Sequence, residues 1–148
     1  MKLQVKILSD KIGRSIPLPY YATSGAAAID LHACIEEAVT VPGGGEALIP
    51  TGLAVAVPDG HVGILAVRSS MGIRNGVSLS NGIGVIDSDY RGPLRVGLHN
   101  LRDTEYVVRP GDRIAQLMVV PVLRAEIEVV EELPETERGA KGFGSTGR

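Results

Sequence analysis

Apolar residues alternate with polar ones in short runs along this chain, instead of recurring at helical spacing. The runs fit the two-residue period of half-buried β-strands, and they cover residues 3–8, 27–33, 47–57, 62–67, 76–79, 94–100, 105–108, 114–122 and 126–130. No longer window carries a convincing apolar period of 3.6 residues. The pattern predicts an all-β domain, which is a sandwich, a jelly roll or a barrel.

Turn residues separate the runs. They include PGGG at 42–45, PDG at 58–60, NG at 75–76 and RPGD at 109–112. The chain has 19 Gly and 9 Pro among 148 residues, which favours many short elements within a single domain large enough to bury a core.

The end of the chain has a different composition, because the strand pattern stops at residues 131–134. Residues 138–148 read RGAKGFGSTGR, which is too rich in Gly to hold a fixed shape alone. We therefore predict a β-domain over residues 1–133 and a mobile tail over residues 134–148. The single Phe of the chain, Phe143, lies in this tail. It either plugs the core of its own domain or stacks on a flat ligand when the tail orders over a site.

Charge and cysteine usage exclude several classes of protein. A formal net charge of -2 argues against a nucleic-acid or anionic-membrane surface, and no apolar run is long enough to span a bilayer. A soluble, unexported, cytoplasmic protein is expected. Cys34 is the only cysteine, so an internal disulfide is impossible, and it is interpreted as a small core residue. His32, His61 and His99 are too scattered to predict a metal triad.

The stretch NGIGVIDSDYRG at 81–92 is the strongest candidate for a functional site. It places two carboxylates, Asp87 and Asp89, beside Tyr90 and between glycines. Gly84 lacks a Cβ, so the backbone there can approach a ligand closely. If the chain stays extended to Tyr90, both carboxylates share one face and the Tyr takes the other. The alternative is a loop of solvated carboxylates between two strands.

Other polar residues interrupt apolar runs in ways that suit an oxyanion site. Arg68, Ser69 and Ser70 follow an apolar strand and could bind a phosphate, although a strand-end turn capped by Ser has the same sequence. Asp30 lies either on a solvated face of its strand or points into a site. Gln116 lies among apolar residues and needs a hydrogen-bond partner if it is buried. Glycine-rich phosphate motifs that open a helix are missing from the sequence.

Taken together, these stretches resemble the homotrimeric deoxyuridine triphosphatase (dUTPase) family. One motif alone would be a weak signal, but the family's motifs occur here in their order along the chain. They are GAAAIDL at 25–31, RSSMG at 68–72, NGIGVIDSDYRG at 81–92, GDRIAQL at 111–117 and RGAKGFGSTG at 138–147.

The resemblance implies a fold, an assembly and a reaction. The implied fold is a jelly-roll-like, distorted β-barrel with a flexible Gly-rich C-terminal tail. The implied assembly is a homotrimer in which each active site is built from three subunits. The implied reaction is the Mg²⁺-assisted hydrolysis of dUTP to dUMP and pyrophosphate, which keeps uracil out of DNA and supplies dUMP for thymidylate synthesis.

The resemblance also implies roles for individual residues. Asp87 corresponds to the general base, and Tyr90 to the residue that packs on deoxyribose and rejects a 2′-hydroxyl. Asp30 corresponds to the carboxylate that positions the metal through water, and Arg95 to a substrate contact. The other implied contacts are Asn81, Gly84, Val85 and Ile86 for uracil, Arg68, Ser69, Ser70 and Gln116 for the phosphates, and Arg138, Phe143, Gly144 and Ser145 in the closing tail.

Two alternatives share the predicted fold. The related dCTP deaminase family has an Arg-Ser-Ser element but uses a glutamate in the strand after the Asp-containing motif, and residues 94–100 contain no carboxylate. A catalytically dead regulator that binds nucleotide would keep the fold without the chemistry. Release of pyrophosphate or of ammonia from deoxynucleoside triphosphates separates the three functions.

Overall fold

The computed structural model describes residues 1–140, and β-strands dominate it. The strands are Gln4–Ile7 (β1), Ile29–His32 (β2), Val39–Val41 (β3), Glu46–Ala56 (β4), His61–Ala66 (β5), Val77–Leu79 (β6), Gly84–Ile86 (β7), Pro93–Asn100 (β8), Tyr106–Val108 (β9) and Arg113–Pro121 (β10). A short π-helical segment, Ser70–Asn75, connects β5 to β6. Within residues 1–140, no helix is long and apolar enough to cross a membrane. The predicted all-β class is confirmed.

Two four-stranded antiparallel sheets and one two-stranded sheet form the jelly-roll-like body. Their strand orders are β1-β4-β8-β6, β2-β10-β5-β7 and β3-β9. Buried residues of all three sheets join one apolar cluster, whose most deeply buried large members include Leu31, Ile49, Val96, Leu98, Val108, Ile114 and Leu117. In the order β2-β10-β5-β7, strand β7, which carries the start of the candidate site, is the last strand of its sheet.

Strand β8 shows how the alternating pattern positions the site. Leu94, Val96 and Leu98 point into the core, so Arg95 points out of it. The buried Asn100 at the end of β8 is fully satisfied. Its Nδ2 donates to the carbonyl oxygens of Val41 (3.1 Å) and Thr104 (2.8 Å), and its Oδ1 accepts from a backbone N–H.

The predicted strand at 126–130 is wrong. The last strand ends at Pro121, and residues 122–140 are exposed. The apolar residues of this stretch do not face the core, since Leu123, Ile127 and Val129 are 101%, 89% and 93% exposed. A strand also needs a hydrogen-bonded neighbour, and residues 126–130 pair with no strand of the described chain.

Candidate active site

A cavity of about 440 Å³ opens where β7 ends and β8 begins. Its lining consists of Val85, Ile86, Asp87, Tyr90, Pro93, Leu94 and Arg95, and we call it the Asp87 cavity. The fold thus brings together five of the residues that the sequence singled out. Asn81 is not among the lining residues and lies exposed in the turn before β7.

The segment from Asp87 to Tyr90 is a turn, so the expectation of an extended chain there is wrong. Strand β7 ends at Ile86, and the Tyr90 N–H donates to the carbonyl oxygen of Asp87 (3.2 Å). Arg91 reinforces the turn, because its Nη1 donates to the carbonyl oxygens of Ser88 (2.7 Å) and Tyr90 (2.8 Å). The turn places Asp87 and Tyr90 on the wall of one cavity instead of on opposite faces of a strand.

Packing accounts for the glycine at position 84. Gly84 pairs with Leu65 on β5, and a Cβ added at Gly84 would lie 2.8 Å from the Leu65 Cβ. Residue 84 therefore has no room for a side chain towards the core, while Val85 is exposed on the opposite face. A larger residue would push β7 away from β5 and displace the cavity wall.

A second group of polar side chains surrounds Asp30 on the same sheet. Asp30 Oδ1 lies 3.2 Å from Arg68 Nε and accepts a hydrogen bond from Gln116 Nε2 (3.3 Å), while Oδ2 accepts one from Arg113 Nη1 (3.3 Å). We call these four residues the Asp30 cluster. The Asp30 side chain is only 13% exposed, which excludes the solvated-face alternative, and the half-buried Gln116 has a hydrogen-bond partner in Asp30.

A β-bulge explains why the sequence analysis missed Arg113. Regular alternation puts residues 113 and 116 on opposite faces of a strand. The register between β2 and β10 shifts between Arg113 and Ala115, so that Arg113 pairs with His32 and Gln116 pairs with Asp30. Both side chains therefore reach the same carboxylate. The matching motif segment was the only signal that could have found Arg113.

Arg68 keeps an unused hydrogen-bond donor inside the cluster. Its Nε is buried and donates no hydrogen bond within residues 1–140, because Asp30 is close enough for an ion pair but is not aligned for a hydrogen bond. Ser69 stands at the start of the π-helical segment, yet its side chain makes no capping hydrogen bond. The alternative of a turn capped by Ser69 is thus excluded, and these donors suit an oxyanion ligand.

The Asp30 cluster fits a magnesium ion that arrives with a phosphate ligand. Residues 1–140 contain no group of three or more His, Cys, Asp or Glu side chains that could hold a metal. Mg²⁺ commonly takes one or two carboxylates together with phosphate oxygens and waters, so a resident cage is unnecessary. Because Arg68, Arg113 and Gln116 already contact the Asp30 oxygens, contact with the metal through water suits Asp30 better than direct ligation.

The Asp87 cavity and the Asp30 cluster lie apart in one chain. Asp87 follows Ile86, which pairs with Gly63 near the start of β5, whereas Arg68 lies two residues beyond the end of β5. At about 3.3 Å per residue, the five residue steps from Gly63 to Arg68 span roughly 16 Å along the strand direction. Strands β10 and β2 also lie on the opposite side of β5 from β7, and the Arg68 guanidinium reaches towards Asp30 on β2.

The predicted tail contacts fall at or beyond the end of the described chain. Arg138 lies in the exposed stretch before residue 140. Phe143, Gly144 and Ser145 lie outside the described residues.

His32 lies beside the Asp30 cluster and has a pKa below its ordinary value of 6.5. Burial is the main cause and lowers the pKa, Asp30 raises it, and Arg113 and Arg68 lower it further. The folded chain therefore takes up a proton on His32 at a lower pH than the unfolded chain does.

We expect His32→Gln to make the protein less sensitive to mild acid. Well above pH 6.5 the imidazole is neutral in both the folded and the unfolded state, so His32 gives the free energy of unfolding no dependence on pH there. As the pH falls below 6.5, the unfolded state binds the proton first, so the free energy of unfolding falls until the folded-state pKa is reached. Urea unfolding of both proteins between about pH 7.5 and about pH 5, on either side of the usual His pKa of about 6.5, measures how the free energy of unfolding of each depends on pH. Parallel pH curves for the two proteins would contradict it.

Known proteins resemble this chain in both sequence and fold. The dUTPase family model matches residues 14–147. A deoxyuridine 5′-triphosphate nucleotidohydrolase of Idiomarina loihiensis is 47% identical over 148 residues, which cover 99% of this chain and 98% of that one. The dUTPase of Staphylococcus bacteriophage 80alpha, solved with dUPNHPP, has a TM-score of 0.85 and 30% identity, and the match covers 99% of each chain. A mutant dUTPase from phage phi11 of S. aureus, whose structure describes a structural Mg(II) ion, has a TM-score of 0.78 and 25% identity over 91% of this chain and 100% of its own.

Proposed function

This chain belongs to the dUTPase family, and from that premise we propose that it hydrolyses dUTP to dUMP and pyrophosphate through attack of an Asp87-activated water on the α-phosphorus. The observation that carries the mechanism is the shared wall of the Asp87 cavity. Asp87 is exposed there beside Tyr90, so a carboxylate that can accept a proton from water lies next to the residue proposed to read the sugar.

The backbone of β7 suits recognition of uracil. Among residues 1–140, β7 pairs only with β5, so no other described strand uses its outward backbone N–H and C=O groups, which suit a ligand. Uracil presents a ring N–H donor beside a carbonyl acceptor, whereas cytosine presents an amino donor at position 4. Backbone of Gly84, Val85 and Ile86 with the Asn81 side chain would pair with uracil and leave mismatched buried groups with cytosine.

Tyr90 suits selection of deoxyribose. Its hydroxyl donates to the carbonyl oxygen of Pro93 (3.1 Å), which holds the aromatic ring against the start of β8. A ring fixed in this way can pack on the sugar and occupy the space that a 2′-hydroxyl needs. Arg95, on the outward face of β8, lies beside the same cavity and can contact the nucleotide.

The Asp30 cluster and its neighbours suit the triphosphate. Arg68, Ser69, Ser70 and Gln116 offer a guanidinium, two hydroxyls and an amide to phosphate oxygens. When bound, Mg²⁺ would neutralise phosphate charge, with Asp30 contacting it through water. The chain's own part is to fix the α-phosphoryl group in line with a water beside Asp87.

We propose a homotrimer with sites shared between subunits, as the resemblance implies. The separation of roughly 16 Å between the Asp87 cavity and the Asp30 cluster supports sharing, since one α-phosphoryl group is too small to contact both groups of one chain. The exposed apolar side chains of Leu123, Ile127 and Val129 support an arm that a partner subunit covers. Residues 1–133 would then form the catalytic domain, and residues 134–148, with Arg138, Phe143, Gly144 and Ser145, would form the tail that closes over a site.

The position of bond cleavage tests the mechanism. In ¹⁸O-water under single turnover, we expect the label in dUMP, because Asp87 lies beside the sugar-binding part of the cavity. Label found in pyrophosphate would contradict attack on the α-phosphorus. Release of ammonia from dCTP, without pyrophosphate from dUTP, would instead indicate a deaminase.

A further inference from the structure

We infer that Gly92 is a positioning residue that holds Tyr90 in its working orientation, and that it thereby sets the preference for deoxyribonucleotides over ribonucleotides. The inference rests on the proposed role of Tyr90. A Cβ added at Gly92 would lie 2.6 Å from Tyr90 Cζ and 3.0 Å from Cε2, and it would lie closer still to the hydroxyl oxygen. Tyr90 therefore folds back over its second neighbour in the chain, into space that any other residue at position 92 would fill.

The backbone at position 92 does not itself require glycine. Gly92 is not among the glycines with positive φ, so alanine can adopt its conformation without backbone strain. Gly82 shows the opposite case, because its φ is 72° and an added Cβ there would meet nothing within 4 Å. At Gly92 it is the Tyr90 ring, and not the backbone, that excludes a side chain.

The Tyr90 ring is the part that would yield to a methyl group. It is 42% exposed and turns about two side-chain torsions, so it can move outward without disturbing the core. Moving it breaks the hydrogen bond from its hydroxyl to the Pro93 carbonyl oxygen (3.1 Å). The displaced ring would leave open the volume in which a 2′-hydroxyl of UTP would lie, while Asp87 and the uracil-reading backbone would stay in place.

The test is the ratio of kcat/KM for dUTP to that for UTP, measured for the unchanged protein, Gly92→Ala, Tyr90→Ala and the double variant. We expect each single substitution to lower the ratio by roughly tenfold or more, the usual effect of altered fit in a binding pocket. The double variant should be no less selective than Tyr90→Ala alone, because Gly92 acts only through the ring. Gly97→Ala is the matched control. Gly97 lies on β8, the strand that follows Gly92, and its added Cβ would meet the exposed Ser80 instead of Tyr90, so the ratio should not change.

Each failure has a distinct meaning. If Tyr90→Ala lowers the ratio and Gly92→Ala does not, the role of Gly92 is overturned while that of Tyr90 stands. Additive losses in the double variant would also overturn it, because they show an effect that bypasses the ring. An unchanged ratio in Tyr90→Ala refutes the proposed sugar contact itself, and the role of Gly92 falls with it.

Loss of folding in Gly92→Ala would still be informative. Removing the Tyr90 ring removes the clash, so the double variant should regain the melting temperature of Tyr90→Ala. A double variant that remains unfolded would overturn the inference, because the methyl group would then conflict with something other than the ring.

Discussion

Asp87→Asn is expected to lower dUTP turnover by roughly 10²–10⁴, the usual contribution of a general base. The amide keeps the shape of the side chain but cannot accept the proton of the attacking water. Asp87 is exposed, and a backbone hydrogen bond from the Tyr90 N–H to the Asp87 carbonyl oxygen closes its turn, so replacing the Asp87 side chain should leave the fold intact. Binding of a nonhydrolysable dUTP analogue should also survive, because most contacts with the nucleotide come from other residues.

Asp89→Asn is the matched control for this substitution. Asp89 is a neighbouring exposed carboxylate of the same turn, but it is not among the residues that line the Asp87 cavity. Its replacement makes the same change of charge and should leave turnover within a few-fold. Equal losses in both variants would indicate that the net charge of the turn matters instead of a base at Asp87, and an active Asp87→Asn would assign the proton to another residue.

A mixture of two inactive chains, Asp87→Asn and Arg68→Gln, is expected to regain activity if subunits share sites. The first variant lacks the carboxylate of the Asp87 cavity, and the second lacks the guanidinium of the Asp30 cluster. In co-refolded trimers, a site that takes Asp87 from one chain and Arg68 from another can be complete. Random assortment at equal amounts makes roughly a quarter of the sites complete. If one chain supplies both groups, no site is complete and the mixture stays inactive.

The control mixes the unchanged chain with the double variant Asp87→Asn/Arg68→Gln. Shared sites require both groups from unchanged chains, so roughly a quarter of the sites should be active, whereas unshared sites give roughly a half. Mass spectrometry must show mixed trimers in both experiments. No dUTP hydrolysis by the first mixture, together with roughly half of the sites active in the control, would refute sharing. Mixing a chain that ends at Glu137 with Asp87→Asn tests in the same way whether the tail and Asp87 of one site come from different subunits.

The alternating pattern predicted most strands because it records which residues face the core. Strand β8 illustrates this, since Leu94, Val96 and Leu98 are buried and also set the period that is visible in the sequence. The pattern failed for two short or unpaired segments. Strand β3 has only three residues beside a Gly-rich turn and is defined by its pairing with β9. Residues 126–130 have the strand pattern but pair with no strand within the described chain.

The sequence predicted those parts of the site whose residues are close together in one motif. Motif order identified Asp87 and Tyr90, but the extended conformation expected between them was wrong, because a backbone hydrogen bond closes a turn there. Arg113 was missed because a bulge, which has no mark in the two-residue period, turns it towards Asp30.

By itself, the sequence determined the all-β class, the family and most of the chemistry-bearing residues, because apolar alternation and motif order are properties of neighbouring positions. Only the tertiary structure decided which of these residues meet. It placed Asp30 of β2 between Arg68, which follows β5, and Arg113 and Gln116 of β10, and it folded the Tyr90 ring over Gly92. Such contacts depend on strand pairing, a register shift and a turn, and these are set by hydrogen bonds between backbone groups whose partners a one-dimensional pattern does not specify.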